Sequence, residues 1–329
     1  MSGQVTVIGA GAWGTALAAA MARDGKRVGL WGRDAGVVAE INGQRTNRFY
    51  LGDADLPTQI VATTDAGEAL ADADMVLLAV PAQTMRAVLA MMVPHLHPHM
   101  LLVSCAKGIE RGSGDLMTGV MGRTAPANAN AVLSGPSFAA DVAPGLPTAV
   151  TLAMADEARA LAACRALARP GLRLYASGDV AGVEYGGALK NVLAIAAGIV
   201  AGRGLGASAQ AALTTRGFAE MSRLAVALGG RTETLAGLSG LGDLILTCGS
   251  DQSRNFSFGR AIGRDEDTSG LKLAEGVATA GTAARIAGEH GIEAPITAAV
   301  AAIVDGALDV DAAIATLLSR PIKSETEKG

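Results

Sequence analysis

Aromatic side chains make up only 3% of this 329-residue chain, which also holds just three cysteines and four histidines. A core with so few rings must be built from small side chains packed backbone to backbone, and the composition supplies them: half of the residues are apolar and 43 are glycine. The cysteines Cys105, Cys164 and Cys248 are odd in number and far apart, with no Cys-x-x-Cys pair. That excludes a disulfide-stapled scaffold and reads as buried, reduced thiols in a cytoplasmic protein. The formal charge of −4 argues against a general nucleic-acid binder. No apolar run reaches about 18 residues, so no stable membrane insertion is expected and the protein is read as soluble. The first apolar stretch follows no basic segment and is broken by glycines, as a strand would be and a signal peptide would not. Three of the histidines cluster in Pro94-His95-Leu96-His97-Pro98-His99, which reads as an extended surface turn; with no acid or cysteine beside it, no metal site is expected.

What the chain does have begins at Val5-Thr6-Val7-Ile8, a β-branched run that leads straight into Gly9-Ala10-Gly11-Ala12-Trp13-Gly14. Gly-x-Gly-x-x-Gly between a strand and a helix is a dinucleotide-binding fingerprint, and each glycine has its own task. Gly9 permits the tight turn, Gly11 admits a pyrophosphate against the backbone, and Gly14 lets the helix lie close on the strand. A second strand ends at Trp31, where an NAD-selective site usually places an acid for the ribose 2′-hydroxyl. Here Gly32-Arg33-Asp34 follows, and a guanidinium suits a 2′-phosphate. NADPH is therefore the expected cofactor, with NAD possible because Asp34 could reach a ribose or neutralise Arg33.

Short apolar runs alternating with helical segments over residues 1–180 predict a Rossmann-like, doubly wound, mainly parallel sheet covered on both faces. The expected strands cover 5–8, 27–31, 75–80, 100–104, 131–134, 148–153 and 172–175, with helices such as 66–71, 84–92 and 156–168. From 181 to 329 the strand signals stop, and 183–200, 207–228, 260–263, 279–290, 296–305 and 310–318 read as helices of a second, all-helical domain. The two domains are expected to share a long helix and a fixed interface. The tail after Pro321, rich in Lys, Glu, Ser and Thr, is expected to fray.

Ligands of an open parallel sheet sit beyond the carboxyl ends of its strands. Three motifs fall there: Val80-Pro81, Ala106-Lys107-Gly108 and Ser134-Gly135-Pro136-Ser137-Phe138-Ala139, so Lys107 is expected near the nicotinamide end of a cofactor. In the helical half, Lys190 and Asn191 interrupt the apolar, small-residue helix around Tyr185-Gly186-Gly187-Ala188, where a buried ammonium needs a partner. Asp243 lies among glycines in Gly237-Leu238-Ser239-Gly240-Leu241-Gly242. Ser253-Arg254-Asn255-Phe256 reads as a helix start with Ser253 as its cap and a guanidinium in the first turn, an arrangement suited to an anion.

Taken in order, these motifs resemble the bacterial-type, NAD(P)-dependent glycerol-3-phosphate dehydrogenases. The matching segments are GAGAWGTALA at 9–18, CAKGIE at 105–110, SGPSFA at 134–139, ALKNVLAIAAGI at 188–199, GLSGLGDL at 237–244, SRNFSFG at 253–259 and EGVATA at 275–280. They run over nearly the whole chain. The resemblance implies reversible hydride transfer between NAD(P)H and C2 of dihydroxyacetone phosphate, giving sn-glycerol 3-phosphate for phospholipid synthesis. It implies that Lys190 transfers the proton, that Lys107 contacts substrate and cofactor, and that Asp243 serves the substrate site. Gly135, Ser137, Asn191, Ser253, Arg254 and Asn255 fall on substrate-contacting positions. Ala12, Trp13, Arg33, Ala139, Leu273 and Glu275 fall on cofactor-contacting ones, beside Gly9, Gly11 and Gly14, and Arg254 can touch both ligands. A ketopantoate reductase, which also pairs a lysine with an asparagine, is the nearest rival, and a non-catalytic dinucleotide sensor is another; SGPSFA and SRNF favour a phosphate substrate. Alanine-rich helices in the second half could also serve a homodimer.

Overall fold

A computed structural model describes residues 3–322, so the tail expected to fray lies, from residue 323 on, outside the described residues. The first part of the chain forms an eight-stranded sheet: β1 (Val5–Ile8), β2 (Val28–Trp31), β3 (Ile60–Thr63), β4 (Met75–Leu78), β5 (Leu101–Ser104), β6 (Asn130–Ser134), β7 (Thr148–Ala153) and β8 (Leu172–Ser177). The strand order is β3-β2-β1-β4-β5-β6-β7-β8. Neighbours from β3 to β6 are parallel, whereas β7 runs antiparallel to β6 and carries β8 parallel to itself. The Rossmann-like, doubly wound sheet expected from sequence is therefore present.

Alternation by two splits the strands between the sheet's faces. Val5, Val7, Met75 and Leu77 join a core with Leu17 and Met21 of helix Ala12–Ala22 and with Ala160 and Leu167 of helix Glu157–Leu167. Ile8, Val76 and Leu78 face the other way, onto Leu70, Met85, Leu89 and Val120. The strand β3 was not among the expected ones. It is four residues long, lies at the sheet edge and is buried only at every second position, and its apolar run, Ile60-Val61-Ala62, is three residues long and flanked by polar Gln59 and Thr63.

Beyond β8 the described residues form only helices, gathered around the 23-residue helix Val180–Gly202, called the central helix below. It is long and apolar enough to cross a bilayer, yet 89% of its most apolar window is buried, against Met221, Leu224, Leu244, Phe256, Ile286 and Val300. Asp179 caps its start by accepting from Gly182 N at 2.8 Å. Glu184, one turn on, reaches back to the sheet half and accepts from Thr118 N at 2.9 Å, closing the uncapped start of helix Met117–Thr124. Burial pushes its carboxyl up to about 7 despite those Thr118 hydrogen bonds.

Glycine sets how close the helices come. A Cβ on Gly198 would stand 2.1 Å from Phe256 O, and one on Gly259 would stand 2.0 Å from Ile195 O. The central helix and helix Arg254–Gly263 therefore touch backbone to backbone. The same effect explains a boundary: helix Glu275–Glu289 starts four residues before the expected 279, because Gly276 is no breaker but a contact surface, where a Cβ would meet Asn191 O at 2.5 Å. All three cysteines are free and buried.

Gly259→Ala should lower the thermal midpoint markedly, because overpacking against backbone costs about 1–3 kcal/mol. Gly43→Ala, on the exposed side of helix Ala35–Gln44 with nothing within 4 Å of the added carbon, should hold or raise the midpoint. Calorimetry of the two variants checks this, and equal shifts would refute the close-packing account.

Candidate active site

Because β1 to β6 run parallel, their carboxyl ends share one edge of the sheet, and the strand order reverses between β1 and β4. The glycine turn stands at that switch point. Gly9 has a φ of +115°, and a Cβ on it would lie 2.7 Å from Ala79 O at the end of β4. A Cβ on Gly14 would lie 1.8 Å from Gly9 O, so helix Ala12–Ala22 closes directly on the turn. Gly11 is different: its φ is −79° and an added Cβ would meet nothing within 4 Å. Neither strain nor protein packing requires glycine there, which leaves room beside its backbone of the kind a pyrophosphate needs. Ala12 and Trp13 open the helix half-buried.

Arg33 is exposed at the end of β2. Its neighbour Asp34 does not pair with it; its carboxylate caps helix Ala35–Gln44, accepting from Gly36 N at 2.8 Å and Val37 N at 3.2 Å.

The two halves of the chain meet at a buried charged cluster. Asp243 is 1% exposed, and each of its carboxylate oxygens takes one ammonium. Lys107 Nζ, from the loop after β5, lies 2.6 Å from Oδ2 and also donates to Gly135 O at 2.8 Å. Lys190 Nζ, from the central helix, lies 3.1 Å from Oδ1 and donates to Thr247 Oγ1 at 2.7 Å. Burial pulls the Lys190 ammonium down from its ordinary 10.5 to about 8, with the attraction of Asp243 working against it and repulsion from Lys107 assisting. Burial alone would raise Asp243, but Lys107 and then Lys190 outweigh it and hold that carboxyl below its ordinary range.

Glycine again makes the contact. A Cβ on Gly186 would stand 2.8 Å from Ser239 O, and one on Gly187 would stand 2.6 Å from Ser134 Oγ. The central helix thus rests on the end of β6 and on the π-helical turn Leu238–Gly242, which hands Asp243 to Lys190.

A relay of carboxamides registers the surrounding loops. Asn191 Nδ2 donates to Lys107 O at 3.0 Å, Asn255 Nδ2 donates to Asn191 Oδ1 at 2.8 Å, and Gly276 N donates to Asn255 Oδ1 at 2.9 Å. Ser253 caps helix Arg254–Gly263 as expected, accepting from Phe256 N at 3.2 Å, and Arg254 beside it is exposed. Glu275 accepts from Ala82 N at 3.1 Å, across the gap between the helical half and the end of β4. Burial raises its carboxyl, against that hydrogen bond and the charge of Arg254. Gly135 holds a φ of +140° with an added Cβ only 3.0 Å from Val150 Cα; Ser137 Oγ donates to Gly135 O at 2.9 Å, and Ala139 opens the short helix Ala139–Val142. Leu273 is 54% exposed. Thr247 was missed from sequence. The signal was there, since it lies four residues after Asp243 on helix Asp243–Cys248 and so on the same face.

With this geometry in place, two family models match in order: the N-terminus of NAD-dependent glycerol-3-phosphate dehydrogenase over residues 4–160 and its C-terminus over 179–315. The chain belongs to that family. It is 56% identical to the glycerol-3-phosphate dehydrogenase [NAD(P)+] of Chelativorans sp. (strain BNC1) over 321 residues, 98% of either chain. It is 53% identical to the Brucella ovis protein of the same name over 328 residues, 99% of this chain and all of that one. Among solved structures, the glycerol-3-phosphate dehydrogenase of Coxiella burnetii superimposes with a TM-score of 0.91 at 38% identity, covering 96% of this chain and 99% of that one.

Asp243→Asn should lower the Lys190 amine below about 8, because it removes the charge that favours the ammonium. A ¹³Cε-lysine NMR titration reads this directly; an unchanged or higher midpoint would show that Asp243 does not govern Lys190.

Proposed function

We infer that this protein catalyses the NAD(P)-dependent interconversion of dihydroxyacetone phosphate and sn-glycerol 3-phosphate. The observation that carries the reading is the buried Lys190–Asp243–Lys107 cluster at the carboxyl edge of a dinucleotide-type sheet, with the exposed Arg254 in the first turn of a neighbouring helix. Fit to the cofactor is supported by the open face of Gly11, with Ala12, Trp13, Gly14, Arg33, Ala139, Leu273 and Glu275 as the further residues that would hold it. When bound, the nicotinamide supplies or takes the hydride.

The chain's own residues do the rest. Arg254, with Ser253 and Asn255 at the same helix start, grips the phosphate of the three-carbon substrate. Gly135, Ser137 and Asn191 line the carbon end. Fixing the phosphate aligns C2, so remote binding energy is used for orientation. In reduction, the Lys190 ammonium gives its proton to the oxygen that becomes the C2 hydroxyl; in oxidation, the neutral amine takes that proton back. Burial has already brought this lysine near neutrality, where an acid–base group works best. Lys107 and Asp243 orient the amine, and the second ammonium resists full protonation of the pair.

NADPH is the preferred cofactor in this reading. Arg33, exposed at the end of β2, has no ion pair or hydrogen bond among the described residues, which supports the reading, and Asp34 spends one carboxylate oxygen, Oδ1, on its own helix start. The chain divides at 180/181 into a cofactor half and a half that binds substrate and moves the proton. The product serves phospholipid synthesis in the cytoplasm, in keeping with three free, buried thiols.

The direct test is absorbance loss of NADPH and of NADH, side by side, with dihydroxyacetone phosphate. Turnover with both and a higher kcat/KM for NADPH are expected. No turnover would sink the activity, turnover of ketopantoate instead would move it to the rival, and a higher value for NADH would sink the cofactor preference.

Proton transfer by Lys190 also fixes the sign of the pH dependence. Reduction needs the ammonium, so its kcat/KM should fall as pH rises through about 8; oxidation needs the amine, so its kcat/KM should climb through the same range. Lys190→Ala should lose about 10²–10⁴-fold in kcat while still binding NADPH. Limbs of the same sign in both directions, or a full rate in that variant, would remove Lys190 from the role.

A further inference from the structure

We infer that Asn47 is a positioning residue for the dinucleotide site, a buried carboxamide that holds the turn from Gly9 to Gly14 in its receiving shape. The inference rests on the assignment of that turn to the cofactor. Asn47 is 0% exposed, although the segment that follows it, Arg48-Phe49-Tyr50, is exposed. Its Nδ2 donates twice, to Ala10 O at 3.0 Å and to Thr15 Oγ1 at 2.8 Å. A carboxamide nitrogen has two N–H groups, so both are committed to the glycine turn.

The turn needs such a clamp. Its glycines carry the greatest backbone freedom of any residue, and an added Cβ at Gly11 would touch nothing. Backbone hydrogen bonds hold its two ends, from Gly9 N to Trp31 O at 2.8 Å and from Thr15 N to Gly11 O at 2.9 Å. Ala10, between the first two glycines, takes its hydrogen bond from Asn47 instead. The grip on Thr15 ties the same side chain to the first turn of helix Ala12–Ala22, whose N–H groups face the phosphate position.

Asn47 also fixes what stands beside the turn. Its own carbonyl accepts from Tyr50 N at 3.1 Å and Leu51 N at 2.8 Å, which winds the short helix Arg48–Leu51. That helix displays Phe49 and Tyr50 as an edge-to-face pair with centroids 4.8 Å apart. One residue therefore couples the phosphate turn to an exposed aromatic pair. An aspartate in its place keeps the shape and loses both donors, setting a negative charge against the Ala10 carbonyl and near the phosphates.

The role predicts a split between binding and chemistry, because Asn47 lies on the glycine turn and not at Lys190. NADPH titration and initial rates of Asn47→Ala and Asn47→Asp should give a Kd and a KM for NADPH raised about tenfold or more, the aspartate worse than the alanine. At saturating NADPH, kcat should stay within about twofold, and the KM for dihydroxyacetone phosphate should not move. Thr15→Ser, which keeps the acceptor, should bind NADPH as the unaltered protein does, and Thr15→Val should bind it more weakly. This pair carries the test if Asn47 variants do not fold. A merely structural Asn47 would lower the thermal midpoint and the active fraction without moving the NADPH constants, and that result would overturn the inference. Gly11→Val separates the two claims. If it leaves NADPH binding intact, the assignment of the turn fails and this inference with it; if it weakens binding while the Asn47 and Thr15→Val variants do not, the positioning role alone fails.

Discussion

One carboxylate shared between two ammonium groups is the interaction on which the rest of this structure depends. A lone charge at the burial of Asp243 would be costly, and so would a lone ammonium at the burial of Lys190. Each makes the other tolerable. The pairing is uneven by design of its stoichiometry: two positive charges face one negative, so a proton can leave Lys190 without stranding Asp243, which keeps Lys107 at 2.6 Å. Removal of either Lys107 or Asp243 would shift the same proton in opposite directions. Thr247, bonded to Lys190 Nζ and to Asp243 Oδ1, gives the amine an acceptor whatever its charge.

This cluster exists only because the central helix lies unusually close to its neighbours. Lys190 comes from that helix, Asp243 from a π-helical turn and Lys107 from the edge of the sheet, three elements distant in sequence. Gly186 and Gly187 let the helix touch the turn and the end of β6, while Gly198 and Gly259 bring up the helix that carries Arg254. The same composition that reads as poverty of aromatics is therefore a packing method. Large rings would hold these backbones apart by more than the length of a hydrogen bond, and the charges would lose their partners.

Sequence made much of this legible, for reasons that can be named. The strands β1, β2, β4 and β5 were readable because both faces are covered and their residues are mostly β-branched or apolar. Lys190 was readable because an ammonium inside an alanine and glycine helix has no cheap solvent-facing alternative. What escaped were features set by contacts between distant segments. The edge strand β3 is made a strand by pairing with β2, not by its own pattern. The reversal at β7 depends on where Gly135 turns the chain. No motif marks Asn47 in the sequence, and only its bonds to Ala10 and Thr15, more than 30 residues away, give it a place. The balance of forces on Lys190 was likewise open, since burial and Asp243 pull in opposite directions and only the geometry ranks them.

The two charged residues that follow β2 obey the same logic of committed and uncommitted groups. Arg33 and Asp34 are adjacent, and from sequence alone the acid could cancel the base or replace it as the ribose ligand. The structure assigns the acid to a local task, since its carboxylate accepts from two backbone N–H groups at the start of helix Ala35–Gln44. Both bonds fall on Oδ1, and drawing that oxygen away would cost the cap, about 0.5–2 kcal/mol. Arg33 meets no such demand. The helix that follows thus ties down one oxygen of the acid, while Arg33 stays exposed beside the end of β2.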